Sequence, residues 1–122
     1  SYTTFNYANL KLNKKRFSKN DTVVVSVDII NTGNRSGMEI IQLYVQDIES
    51  SVNRPPKELK GFEKVKLEPN ESKTVEFNLN LSDFSFYDDS ISGWIVEPGT
   101  FNILLGSSSR DIRLQGKIEF LG

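Results

Sequence analysis

The sequence predicts an all-β chain folded as an antiparallel two-sheet sandwich, and three observations carry that expectation. Apolar residues recur at every second position through five stretches, clusters of Gly, Pro and Asn separate them, and no ten-residue window shows a helical period. In the clearest stretch Val23, Val25, Val27 and Ile29 alternate with Val24, Ser26, Asp28 and Ile30, a run rich in the β-branched side chains that suit a pleated backbone. Ile41, Leu43 and Val45 alternate with Gln42, Tyr44 and Gln46, and Val75, Phe77 and Leu79 with Thr74, Glu76 and Asn78. Phe101, Ile103 and Leu105 form a fourth set. Ile112, Leu114, Ile118 and Phe120, with Gly116 in phase, form the fifth. Two less regular runs, Phe5 to Leu12 and Leu59 to Leu67, bring the expected total to about seven strands, several with one apolar and one polar face.

The punctuation between these runs fits strand-turn-strand connections. Asn31-Thr32-Gly33-Asn34-Arg35-Ser36-Gly37 offers two glycines and asparagines for left-handed turn positions. Pro69-Asn70-Glu71, Ser92-Gly93 and Glu97-Pro98-Gly99 are further turn signals. Leu81 to Tyr87 is the one stretch able to hold a helical turn, with Ser82 as its expected N-cap. Asp47 to Lys57, DIESSVNRPPK, is polar, contains Pro55-Pro56 and is longer than a hairpin needs; connections of that kind often carry function.

Length and composition bound the rest. A chain of 122 residues can bury about two-thirds of its surface, enough for one core and too little for two, so residues 1–122 are expected to form a single domain. Without Cys there are no disulfides, thiolate nucleophiles or Cys-held metals, and without His there is no Ser-His-Asp triad and no imidazole ligand. The reading therefore expects no cofactor and no metal. The longest apolar run is three residues, which excludes a membrane-spanning helix, and Ser1 to Thr4 carries neither a basic start nor an apolar stretch, so no leader is expected in these residues.

Several clusters could carry chemistry, and each has a plainer account. Asp83, Asp88, Asp89 and Glu97 could supply paired carboxylates or bind calcium, but no EF-hand spacing is present and adjacent Asp88 and Asp89 point apart on an extended chain; a solvated turn is expected. Lys11, Lys14, Lys15, Arg16 and Lys19 give residues 1–20 a charge of +5, yet the whole chain is at -1 and holds no RNA-binding motif. A lysine-guarded edge strand is the better account, with no nucleic-acid partner and no membrane partner. Trp94, Tyr87, Phe86 and Phe84 could form a sugar-stacking platform, although packing is the expectation for a lone Trp in a sandwich. Sequons at Asn20, Asn34, Asn70 and Asn80 all fall at expected turns, and nothing in the residues demands a glycan there.

Four stretches taken in order make the chain resemble a known family. They are SYTTFNYANLKL from Ser1, VDIINTGNRSGMEIIQLYVQD from Val27, RPPKELKGFEKVKLEPNESKTVEF from Arg54 and WIVEPGTFNILLGSSSRDIRL from Trp94. Together they resemble the fibronectin type III-like domain that ends many glycoside hydrolase family 3 enzymes, mostly β-glucosidases and β-xylosidases. The resemblance implies an immunoglobulin-like sandwich, in agreement with the period-two reading. It also implies a fragment, since in the family a Gly-Leu-Ser-Tyr-Thr-like junction leads into this domain and here Ser1-Tyr2-Thr3 stands first. The family's Asp nucleophile, on a barrel domain, and its usual Glu acid/base, on an α/β domain, belong to segments outside these residues. No catalytic or substrate-binding residue is carried over.

What the resemblance implies for this chain is a non-catalytic module that packs against and stabilises the catalytic domains of the parent enzyme. Interfaces favour apolar anchors and Arg, which singles out Arg54, Pro55, Pro56 and Phe62, with Tyr2 and Phe5 near the junction. Pro55-Pro56 would stiffen the loop and reduce the entropy lost on docking. Phe5 and Phe62 could equally fill the domain's own core. Stand-alone carbohydrate binding and an adhesive or spacer role are the alternatives, and oligomeric state and location are left open.

Overall fold

The structure, a computed structural model, describes residues 3–49 and 57–122. Seven long strands appear where the period-two runs lie: β1 (Phe5–Leu12), β3 (Val23–Asn31), β4 (Gly37–Asp47), β5 (Glu58–Leu67), β6 (Ser72–Leu79), β9 (Gly99–Ser108) and β10 (Asp111–Phe120). Three short strands join them, β2 (Arg16–Phe17), β7 (Phe86–Asp88) and β8 (Gly93–Ile95). The sheets are a three-stranded one ordered β1-β3-β6, a five-stranded one ordered β2-β10-β9-β4-β5, and the small β7-β8 hairpin. Every long pairing is antiparallel, as expected. The exception is β2 beside β10, which is parallel because the chain leaves β1 in one sheet and crosses to the edge of the other.

Alternation decides which side chains meet between the sheets. Val23, Val25, Val27 and Ile29 from β3 face Ile41, Leu43 and Val45 from β4, and all seven are fully buried. Phe77 and Phe101 lie inside as well. At one end Phe17 packs on Phe84 and Phe120 with ring centroids 4.4 and 4.9 Å away, and Phe84 meets Phe101 edge-on at 5.2 Å. Such tilted and edge-on rings are the arrangement aromatic quadrupoles favour. Gly116 stands under Leu10 and Leu12, where an added Cβ would lie 3.3 Å from Leu10, which explains a glycine in phase with apolar neighbours.

Polar side chains close the two remaining openings. At one end the buried Asn31 donates through Nδ2 to the carbonyls of Arg35 and Leu67, while its Oδ1 accepts from the Thr3 hydroxyl and the Gly33 N–H. Along one side Tyr7 donates its hydroxyl to Glu39, and the Arg113 guanidinium lies 5.0 Å from the Tyr7 ring while bonding the Phe5 carbonyl. Burial, reinforced by Glu39, pushes the Tyr7 phenol well above its ordinary range. Arg113, helped by the Ser107 hydroxyl, holds the Asp111 carboxyl down at about 2.

Local chemistry differs from the sequence reading in three places. Gly33 and Gly37 do not occupy left-handed positions; a Cβ would fall 1.8 Å from Thr3 Oγ1 at Gly33 and 2.5 Å from Thr3 Cγ2 at Gly37, so these glycines make room for the entering chain. Left-handed turn residues are found instead at Asn70, with φ 66°, and Ser92, with φ 50°. The helical turn is a 3-10 helix, Leu81–Phe84, whose N-cap is Asn80 rather than Ser82, because Asp83 reaches back to accept the Asn80 N–H at 2.9 Å. Phe5, a docking candidate, is 7% exposed and belongs to the domain's own core, since β1 turns its Phe5 and Tyr7 inward.

Candidate docking face and aromatic cleft

Cross-strand partners share a face of a sheet, so register identifies what the five-stranded sheet turns away from the core. Gln42 pairs with Phe62, Tyr44 with Leu59 on one side and Leu104 on the other, and Ile40 with Lys64. With Ile41, Leu43 and Val45 inside, these residues point outward. The result is an apolar field on an outer surface: Met38, Ile40, Leu59 and Phe62 are exposed, Phe62 at 67%, around a centre of Tyr44 and Leu104 that their neighbours already cover. Tyr44 donates its hydroxyl to Gln42 and Asn102 donates to Gln46 at 2.8 Å, which consumes part of the polar capacity of the face. Lys64 and Lys66 provide a charged rim.

Among the proposed docking residues, Phe62 is therefore outward and open, and Phe5 is not. Tyr2, Arg54, Pro55 and Pro56 lie outside the described residues. Met38, Ile40, Tyr44 and Leu104 were missed by reading strands as one apolar and one polar face. Their signal was present as breaks in alternation, Ile40-Ile41, Leu43-Tyr44-Val45 and Ile103-Leu104-Leu105, where consecutive apolar residues supply both faces.

The second feature is an aromatic cleft beside strand β5. The β7-β8 pairing sets Tyr87 opposite Trp94, with ring centroids 5.6 Å apart and planes at 77°. Trp94 is 64% exposed, which corrects the expectation that it packs inside: β8 places it on the outward side of a small hairpin, while Phe86 takes the inward position. Lys60, Ser82, Ser85 and Trp94 line an open cleft of about 480 Å³. Lys60 Nζ stands 5.9 Å from the Trp94 ring and 5.4 Å from that of Phe86. It donates to the Ser85 carbonyl and pairs with Glu58, both at 3.2 Å.

The acidic cluster does structural work where it is seen. Asp83 caps the 3-10 helix, and Asp88 accepts from the N–H and hydroxyl of Ser90. Among the described residues no group of three Asp or Glu is arranged to hold a metal ion. Of the basic stretch, Lys11 lies on β1 and Arg16 on β2, both sheet edges, with Lys14 and Lys15 in the connection between them; Lys14 pairs with Asp21 and Arg16 with Glu119. This is the charged edge the sequence suggested.

Two stacked sheets, an edge guarded by charge and an apolar outer surface define a β-sandwich module with a face suited to covering. The profile of the fibronectin type III-like domain matches residues 39–109, and the chain belongs to that family, in the form found within family 3 β-glucosidases. It is 52% identical over 119 residues to thermostable β-glucosidase B of Acetivibrio thermocellus, covering 98% of this chain. It is 44% identical over 121 residues to the β-glucosidase BoGH3A of Bacteroides ovatus, covering 99%. The crystal structure of a β-glucosidase from Listeria innocua in complex with glucose superposes with a TM-score of 0.89 at 38% identity, over 99% of this chain. In each case the chain spans only 16% of the larger protein.

Proposed function

We propose that this domain serves a β-glucosidase-type glycoside hydrolase as a non-catalytic brace, and that it docks on the catalytic domains through the outer face of its five-stranded sheet. The observation that carries this reading is the exposed apolar field of Met38, Ile40, Leu59 and Phe62. A contiguous patch of this kind is costly in water and is the usual mark of an association surface. Phe62, the most exposed of these side chains, is the main anchor, as expected of an aromatic side chain standing proud of a patch with a charged rim. Tyr2, Arg54, Pro55 and Pro56 are interface candidates by residue type alone. The domain contributes stability to its enzyme, and bond cleavage is performed elsewhere in the polypeptide.

The test is made in an enzyme that contains this domain. Phe62→Ser combined with Leu59→Ser is expected to lower the melting temperature of the whole enzyme by about 1 °C, which is what a loss of about 1–2 kcal/mol from an interface amounts to in a chain several times longer than this one. The same pair of changes leaves the unfolding midpoint of the separate 122-residue chain nearly unmoved. An unchanged melting temperature in the whole enzyme would count against this face.

A further inference from the structure

The aromatic cleft has a composition that the docking face lacks. One wall is the exposed ring of Trp94, which Tyr87 meets near a right angle across the hairpin. Its rim is polar. Ser82 donates its hydroxyl hydrogen to Asn80 Oδ1 and Ser85 donates its own to the Ser82 carbonyl, so both oxygens keep lone pairs to accept with. Lys60 uses two of its three N–H groups on Ser85 and Glu58, which leaves one to donate. Because Glu58 already balances the Lys60 charge, the rim offers hydrogen bonds with little net field, which disfavours an ionic ligand. The volume, about 480 Å³, lies in the range of small-ligand sites.

We infer that the cleft lined by Trp94, Lys60, Ser82 and Ser85 binds an uncharged pyranoside, specifically a β-linked gluco-oligosaccharide. A β-glucopyranose ring has every hydroxyl equatorial, so its two faces are flat, apolar C–H surfaces and its polarity is confined to the perimeter. One such face fits on Trp94 while the perimeter hydroxyls meet the Lys60 N–H and the two serine oxygens. Tyr87, across the hairpin, holds the Trp94 ring in place by its edge-on contact. The choice of glucose among hexoses rests on reading the domain as part of a β-glucosidase-type enzyme; the pyranoside site itself rests on the cleft. Its role is to hold a sugar chain against this domain.

Trp94 is the sole tryptophan, so its emission reports the site directly. The 122-residue chain is titrated with cellotetraose, following Trp94 fluorescence and backbone amide resonances. The expected result is saturable binding with a dissociation constant on the order of 1 mM, the strength of a few stacking and hydrogen-bond contacts. Shifts should be confined to Trp94, Tyr87, Lys60, Ser82, Ser85 and their neighbours. Trp94→Ala is expected to weaken binding by about tenfold or more, with Trp94→Tyr recovering most of it. Phe62→Ser leaves it unchanged, which separates this site from the docking face. Absence of saturation, an equal response to the open-chain polyol sorbitol, an equal response to a mannose oligomer with its axial hydroxyl, or undiminished binding by Trp94→Ala would each overturn the proposal. Because the measurement is made on the domain alone, failure to dock on an enzyme cannot produce any of these results.

Discussion

The two sheets of this sandwich share one core but differ on their outer surfaces. The outer side of the three-stranded sheet carries Asn6, Ser26, Asp28, Thr74, Glu76 and Asn78, with Val24 and Ile30 half-buried among them. Its central carboxylate is bound on both sides, by Asn9 Nδ2 at 2.8 Å and by the Thr74 hydroxyl at 2.7 Å. Those bonds, that of Asn9 first, hold the Asp28 carboxyl below its ordinary range. The outer side of the five-stranded sheet instead exposes Met38, Ile40, Leu59 and Phe62. A polar face that satisfies its own groups is finished in water, whereas an apolar face of similar extent is finished only when something lies on it. The same strand geometry thus produces a solvent surface on one side of the molecule and an association surface on the other.

Three measurements break or sharpen that contrast. The largest effect belongs to the shared core: Phe77→Ala is expected to cost about 3–5 kcal/mol in a urea titration, while Phe62→Ala on the isolated chain stays within about 0.5 kcal/mol. A cost above about 1 kcal/mol for Phe62 would make the outer face an intrinsic part of the fold. Next comes Asn31→Ala, which strands the buried Leu67 carbonyl and removes the part-buried bonds to the Arg35 carbonyl and the Gly33 N–H, and is expected to cost about 2–3 kcal/mol by the same titration. A near-neutral result would mean that water replaces the amide. The smallest effect is pH-dependent. Asp111, at about 2, and Asp28 are both depressed in the folded state, so their stabilisation is complete above the ordinary carboxylate value near 4. It is lost as pH falls from there toward about 2. Thermal melts between pH 5 and pH 2 should decline over that window, and Asp111→Asn should flatten the slope; an unchanged slope would remove Asp111 from the account.

The strands were legible because period two is a local property: one stretch of β3 reveals its inward face without knowledge of any partner. The family was legible from four ordered segments for a different reason, since motif resemblance needs no geometry. The outer field was less so. Tyr44 was read as part of a polar alternation, and only its pairing with both Leu59 and Leu104 reveals that three strands turn apolar residues the same way. Gly33 and Gly37 read as turn formers because composition cannot distinguish a residue that needs a positive φ from one that must leave space for Thr3. Phe5 and Phe62 looked equivalent as interface candidates, and the phase of each within its strand separated them.

Strand β2 has a consequence for the order in which the molecule can form. Arg16 and Phe17 pair with Glu119 and Phe120, so this two-residue ladder joins positions near opposite ends of the chain. Phe17 is almost fully buried, against Phe120 from the far end and Phe84 from the middle. A contact spanning so much sequence is entropically late, because nearly the whole loop between its partners must be closed first. During synthesis Phe17 can meet Phe84 before β10 is made, but the side that Phe120 covers stays open until β10 arrives. Once sealed, the ladder ties β2 to β10 across most of the fold, so a change at Phe17 or Phe120 loosens both strands together.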